Sequence, residues 1–132
     1  MNQASIVVGE INPDIPQTLG NTFVSINEFD HLVKATEKPI YFDRWPIDEV
    51  FDQVAANVAS AIEDSSCIAF SIGPLYEPLA RHLMNKKNLG VHTPIFTDAL
   101  MDLVKSGAVS NRYKEHFPGK SLASYAMGTP EL

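Results

Sequence analysis

Residues 67–93 decide the reading. They run Cys67-Ile68-Ala69-Phe70, then Ser71-Ile72-Gly73-Pro74, then Leu75–Lys86 and, past Gly90, Val91-His92-Thr93. The first four are a short apolar run, which reads as a buried strand. Gly73 and Pro74 end it. Leu75–Lys86 reads as a helix with basic residues in its last turn, where they complement the macrodipole. Gly90 permits a turn, and Val91–Thr93 reads as the next strand. Strand, loop, helix and strand in that order build a parallel sheet with helices on its faces. The expected class is therefore α/β, a mostly parallel sheet with flanking helices. Cys67 lies in the apolar run and reads as packed and inert.

Working outward, Ile47, Val50, Phe51, Val54, Val58, Ala61 and Ile62 recur at helical spacing behind Pro46. Downstream, Thr97 and Asp98 are good caps for a helix over Ala99–Ser106, and Gly107 stands where a helix-ending glycine belongs. Asn111–Gly119 reads as a polar loop and Ser121–Met127 as a strand. Gly128-Thr129-Pro130 reads as the opening of another helix, with only Glu131 and Leu132 after it. The pattern changes near Asp43–Ile47. Before it, Ser5–Ile11 reads as a buried strand, and Pro13 and Pro16 then exclude a helix interior or a central strand. Thr22–Ile26 reads as a second strand. Ser25 and Glu28 have capping-box spacing for a short helical turn. His31–Ala35 reads as extended and is ended by Lys38-Pro39. Both ends of the sequence read as cut from something longer. Exposed apolar surface is expected, to be covered by the remainder of a parent chain or by self-association.

Composition narrows the function classes. The chain has 132 residues, 45% hydrophobic and 20% charged, which suits one folded domain's worth of core. Ten Lys and Arg against 16 Asp and Glu give a formal charge of −6, which disfavours nucleic-acid binding. One cysteine excludes an internal disulfide. No run approaches the ~18 apolar residues of a membrane span and no leader is evident, so no membrane partner and a cytoplasmic location are expected. His31, His82, His92 and His116 are too scattered for a metal motif.

In a parallel sheet, ligands sit beyond the carboxyl ends of the strands. Two segments qualify, Ser71–Leu75 and Pro94–Thr97. The first runs into a helix N-terminus, whose free N–H groups can hold an anion or oxyanion. Gly73 admits a close approach to the backbone. A dinucleotide fingerprint needs three glycines, and Ser71–Tyr76 has one. Arg81, Lys86, Lys87 and Lys120 read as solvated surface charges, and Trp45 as packed at the junction of the two patterns.

With those segments in view, the sequence resembles the acetyl-CoA hydrolase/CoA-transferase family, which includes the 4-hydroxybutyrate CoA-transferases. Val8–Gly20 is similar to the family segment "VNPNMPRTLGD", Ser25–Asp30 to "VSEID" and Asn57–Asp64 to "NVASLIEDG". Ser71-Ile72-Gly73-Pro74-Leu75 matches the "GIGGIP" loop in part. Leu89–Thr93 matches "LGIHT", and Thr97-Asp98 with Met101–Val104 matches "SDGVVDLVE". Pro118-Gly119-Lys120 and Met127-Gly128-Thr129 complete the series.

The resemblance implies an open α/β fold of the NagB/RpiA-like kind, incomplete in this chain. Family members are several times longer and have two related α/β domains. Residues 1–43 would then close the first domain, and residues 44–132 would open the second. The implied partners are an acyl-CoA and a small carboxylic acid, with coenzyme A as substrate and no permanently bound cofactor. The implied CoA-contact residues are Ser71, Ile72, Gly73, Pro74 and Leu75, of which Pro74 has no N–H to offer. In the family a glutamate attacks the acyl-CoA and becomes a glutamyl-CoA thioester. The family reads "HTE" where this chain reads His92-Thr93-Pro94, so the nucleophile's position holds a proline. No catalytic residue carries over. Glu77 and Asp98 are the nearest carboxylates; Glu77 reads as a helix first-turn charge, and Asp98 as a cap or a first-turn charge. Two functions follow: the CoA-thioester-binding portion of a transferase or hydrolase, or a degenerate member that binds CoA or a partner without catalysis. The Ser71–Leu75 segment is expected to face the segment carrying Pro94.

Overall fold

The computed structural model describes residues 3–132 and divides into two compact units, Met1–Ile40 and Tyr41–Leu132. In the first, β1 (Val8–Ile11) and β2 (His31–Lys34) pair in parallel, Val8 opposite His31 and Ile11 opposite Lys34. The Asp30 carboxylate accepts from the Val7 N–H at 2.8 Å and the Val7 carbonyl accepts from the Asp30 N–H at 2.9 Å, which closes the end of this ladder. Both strands are largely exposed, so Ser5–Ile11 is not the buried strand expected from its β-branched content. Thr22–Ser25 is irregular rather than a strand. The expected helical turn is a 3₁₀ turn at Ile26–Glu28, and Ser25 Oγ caps it by accepting from the Asn27 N–H at 3.3 Å.

The second unit holds α1 (Glu49–Ala61), β3 (Cys67–Ile68), α2 (Tyr76–Leu83), β4 (Gly90–Phe96), α3 (Asp98–Lys105) and β5 (Leu122–Ala126). The strands form a parallel sheet in the order β3-β4-β5, as the alternating pattern requires. The cap of α1 is Asp48, two residues after Pro46: its carboxylate accepts from the N–H groups of Val50 and Phe51. Ala55 and Ala59 are the buried residues of α1, while Val50, Val54 and Val58 on the neighbouring stripe stay exposed. Leu79 and Leu83 of α2 and Leu100 and Leu103 of α3 fill a core with Leu89, Val91, Ile68 and Phe70. Gly107 takes φ +83° just past α3, the left-handed end its position announced.

Alternation along β4 sorts its side chains. Val91, Thr93 and Ile95 are buried, whereas His92 and Pro94 are exposed on the other face. The strand continues through Pro94 to Phe96, where the sequence suggested a loop. Pro94 brings no N–H to the ladder. The Phe70 backbone is satisfied by a side chain instead. Thr93 Oγ1 accepts from the Phe70 N–H at 3.1 Å and donates to the Phe70 carbonyl at 2.8 Å. Cys67 is exposed and not packed, because strand alternation turns Ile68 rather than Cys67 inward.

The Asn111–Gly119 loop contains two buried polar residues. Asn111 Oδ1 accepts from the Val91 N–H at 2.8 Å, and its Nδ2 donates to Ser121 Oγ at 3.0 Å. Lys114 Nζ donates to the carbonyls of Val91 (2.7 Å) and Lys120 (2.8 Å). A loop pinned in this way holds the start of β5 beside β4. No helix among the described residues is long and apolar enough to cross a membrane.

Candidate functional site

Beyond the carboxyl ends of β3 and β4 lies a cavity of about 260 Å³. Ser71, Ile72 and Gly73 form one wall, and Thr97, Asp98 and Ala99 another. Phe42–Trp45, Tyr76, Glu77, Met127 and Gly128 close it. Of the five residues singled out by sequence, Ser71, Ile72 and Gly73 line this space, while Pro74 and Leu75 do not. Pro94 does not line it either. Of that segment only Thr97 meets the loop across the cavity, followed by Asp98 and Ala99 at the start of α3. Trp45 is half exposed and forms part of the wall.

The loop itself is shaped for close approach. Gly73 has φ +146°, and a side chain there would meet nothing within 4 Å. The Tyr76 N–H turns back to the Gly73 carbonyl at 3.3 Å, while the N–H groups of Gly73, Leu75 and Glu77 have no partner among the described residues. Pro74 and Pro78 bracket this turn without N–H groups. Pro78 is tolerated because the first turn of a helix needs no internal donor.

Charge in the cavity centres on Arg44, which the sequence did not single out. Its guanidinium makes a two-pronged contact with Asp102, Nη1 to Oδ2 at 2.5 Å and Nη2 to Oδ1 at 3.1 Å. Nη1 also reaches Glu77 Oε2 at 3.3 Å, and Nη2 lies 3.9 Å from Asp98 Oδ1. One cation thus serves three carboxylates. The hydrogen bond to Asp102 holds Arg44 firmly protonated, its pKa pushed further above an already high value. Glu77 is pushed up from the ordinary carboxylate range, first by burial, with the attraction of Arg44 opposing.

Asp98 is the buried member, and its bonds explain why it is no cap. Its oxygens accept from the Thr129 hydroxyl (2.7 Å) and the Thr129 N–H (2.9 Å). A side chain on Gly128 would collide with the Asp98 carboxylate, so only glycine lets this segment lie so close. Thr97 occupies the cap position of α3 without making a cap bond, and its Oγ1 is buried with no hydrogen-bond partner. An unpaired buried hydroxyl of this kind costs about 1–3 kcal/mol.

Arg44→Met tests the cluster. It leaves Glu77, Asp98 and Asp102 together without their cation, at an expected cost of about 1–3 kcal/mol at neutral pH. Glu77 would then bind its proton still more tightly in the folded state than when unfolded. Stability therefore rises as pH falls through the folded-state value, and the deficit shrinks on acidification. Urea unfolding of both proteins from pH 7 downward checks this. A deficit that is constant or grows with acid refutes the assignment.

No protein-family model matches the chain. Individual relatives do. The chain is 34% identical over 129 residues to 4-hydroxybutyrate coenzyme A transferase of Clostridium kluyveri, covering 98% of this chain and 30% of that protein. It is 34% identical over 132 residues to succinyl-CoA:cyclohexane-1-carboxylate CoA transferase of Geobacter metallireducens, again 30% of the relative. The fold agrees. A 4-hydroxybutyrate CoA-transferase from Porphyromonas gingivalis superposes with a TM-score of 0.87 at 29% identity, covering 96% of this chain and 32% of that one. Over almost its whole length the chain is homologous to CoA-transferases. RipA from Yersinia pestis shares the same architecture, with a TM-score of 0.89 at 28% identity over 97% of this chain and 30% of that one. The chain spans about 30% of the length of the curated relatives it matches.

Proposed function

We propose that this chain is the CoA-thioester-binding portion of an acyl-CoA:carboxylate CoA-transferase, with the Ser71–Leu75 loop as the CoA contact. Its substrates are an acyl-CoA and a small carboxylic acid. Residues 1–43 belong to the end of one α/β domain, and residues 44–132 to the start of a second. The observation that carries this reading is the loop at the cavity. It has an open left-handed Gly73, three free N–H groups and a position between the end of β3 and the start of α2. Such donors suit a thioester carbonyl, whose oxygen gains negative charge as it is attacked. The remainder of the parent chain is the natural cover for the exposed face of the β3-β4-β5 sheet, because parallel sheets are buried on both faces.

A second reading is favoured by Pro94. Proline has no nucleophilic side chain, and this one lies on the exposed face of β4 and does not line the cavity. On that reading the protein binds CoA thioesters without turning them over.

Gly73→Val in the full-length protein tests the contact. The substitution meets no steric obstacle, but valine strongly disfavours φ +146°, so the loop backbone must move. Calorimetry is expected to show acetyl-CoA binding weakened at least ~10-fold, with unchanged far-UV circular dichroism. Unchanged affinity would remove the loop from the site.

A further inference from the structure

With the inherited position occupied by proline, a substitute nucleophile has to come from the carboxylates at the cavity: Asp43, Glu77 and Asp98 line it, and Asp102 pairs with Arg44 beside them. Asp43 is exposed, and no side-chain hydrogen bond among the described residues orients it. Asp98 has both oxygens occupied by Thr129. Asp102 has both occupied by Arg44. Glu77 differs from both. It engages Arg44 through Oε2 alone, and its Oε1 has no hydrogen-bond partner and is not buried. The residue lines the same cavity as Ser71, Ile72 and Gly73 and opens the helix that follows that loop. Arg44 fixes one oxygen and leaves the other as the free end of an oriented carboxylate. The pairing limits the rotation that an exposed glutamate would have, so attack does not begin from a disordered side chain.

We propose that Glu77 is the catalytic nucleophile of this protein, replacing the carboxylate lost at Pro94. The proposal rests on the CoA-thioester reading of the cavity given above. Glu77 Oε1 attacks the acyl carbonyl carbon of the acyl-CoA. A C–O bond forms, the C–S bond breaks, and CoA leaves as the thiolate. The product is a mixed anhydride of Glu77 and the acyl group. The thiolate sulfur then attacks Glu77 Cδ, the bond from Cδ to the bridging oxygen breaks, and the original acyl group departs as a free carboxylate. Glu77 now carries CoA as a thioester. The acceptor carboxylate runs the two steps in reverse and leaves with CoA. No proton or electron is gained or lost overall, so no co-reactant is needed. Arg44, facing Oε2, offsets charge on the carboxylate side, while the free N–H of Gly73, in the cavity wall, is the donor available to the acyl oxygen. Burial keeps Glu77 more basic than an exposed carboxylate, which favours a nucleophile.

The test uses the full-length protein, acetyl-CoA and isotopically labelled acetate. Label is expected to exchange into acetyl-CoA. Hydroxylamine added during exchange should convert the glutamyl thioester to a hydroxamate, mapped by mass spectrometry to the peptide containing Glu77. Glu77→Gln is expected to lower exchange at least ~1,000-fold and to abolish the hydroxamate. Calorimetry should show that it retains acetyl-CoA binding, which separates lost chemistry from lost folding. A hydroxamate on another residue, or exchange that survives Glu77→Gln, overturns the proposal. Acetyl-CoA binding without exchange in the unaltered protein also overturns it, and leaves the binding role standing. Failure of the unaltered protein to bind acetyl-CoA overturns the underlying reading itself.

Discussion

Asp98→Ala is expected to destabilise the protein by about 3 kcal/mol, a large effect for a residue at a helix end. Its carboxylate is almost fully buried, and it is the sole side-chain acceptor for both the N–H and the hydroxyl of Thr129. Alanine leaves both donors unsatisfied, at about 1–3 kcal/mol for each one that stays buried. It also removes a negative charge from the first turn of α3, worth a further few tenths. The consequence reaches the cavity. Phe42 donates its N–H to the Gly128 carbonyl at 2.9 Å, so the segment that Asp98 holds is also the one on which Phe42 rests. Both residues form cavity wall. Asp98→Asn separates the contributions, since its amide oxygen can accept one of the two bonds while its NH₂ faces the other donor. It should fall between the parent and the alanine variant. Urea unfolding midpoints measure all three, and an alanine variant within 1 kcal/mol of the parent would rule out the clamp.

The α/β order of the second unit was legible because each element carries its own local signal. The apolar runs at Cys67 and Val91, the helical spacing before Ile62 and the glycine after α3 are all read from neighbours in sequence. The loop at Ser71–Gly73 was legible for the same reason, since it is punctuation between two such signals. Burial was less legible. The stripe that betrays α1 as a helix is not the side that packs, because the structure packs the small residues Ala55 and Ala59 and leaves the valines outside. Period gives the face of a helix, but not which neighbour covers it. The Arg44 cluster left no local trace at all. Arg44 lies in an aperiodic stretch and meets Asp102, which is 58 positions away. The same holds for Lys114 and Asn111, which a polar composition marks as loop but which the fold buries against β4.

Pro94 illustrates how a strand inside a sheet can take a proline. A proline in a central strand removes a ladder donor, and such prolines are found at edges or bulges. Here the neighbouring β3 is only two residues long, so the ladder on that side has ended before Pro94 is reached. The Thr93 hydroxyl takes over the pairing of Phe70, and the register to β5 resumes at Ile95 opposite Tyr125. The backbone therefore accommodates proline within β4 without loss of register.

The largest stability effect is expected where none of these polar contacts act. Leu100, in the middle of α3, is 0% exposed and packs in one cluster with Leu83, Leu89, Val91 and Leu103. Leu100→Ala removes three carbons from a site whose neighbours are held by a helix on one side and a strand on the other. The cavity left behind cannot collapse freely, which puts the cost at the upper part of the usual range, about 3–4 kcal/mol. For a cooperative unit of this size that corresponds to a fall in Tm of about 15–25 °C. Val104 lies four residues on, along the same helix, and is 42% exposed. Val104→Ala makes the matching control, with an expected change within about 0.5 kcal/mol. The two substitutions delete similar apolar groups from one helix, so helix propensity cannot account for a difference between them. The contrast isolates burial against β4 as the cause. If Leu100→Ala costs no more than Val104→Ala, α3 is not seated on the sheet, and the cavity wall that begins at Asp98 loses its support.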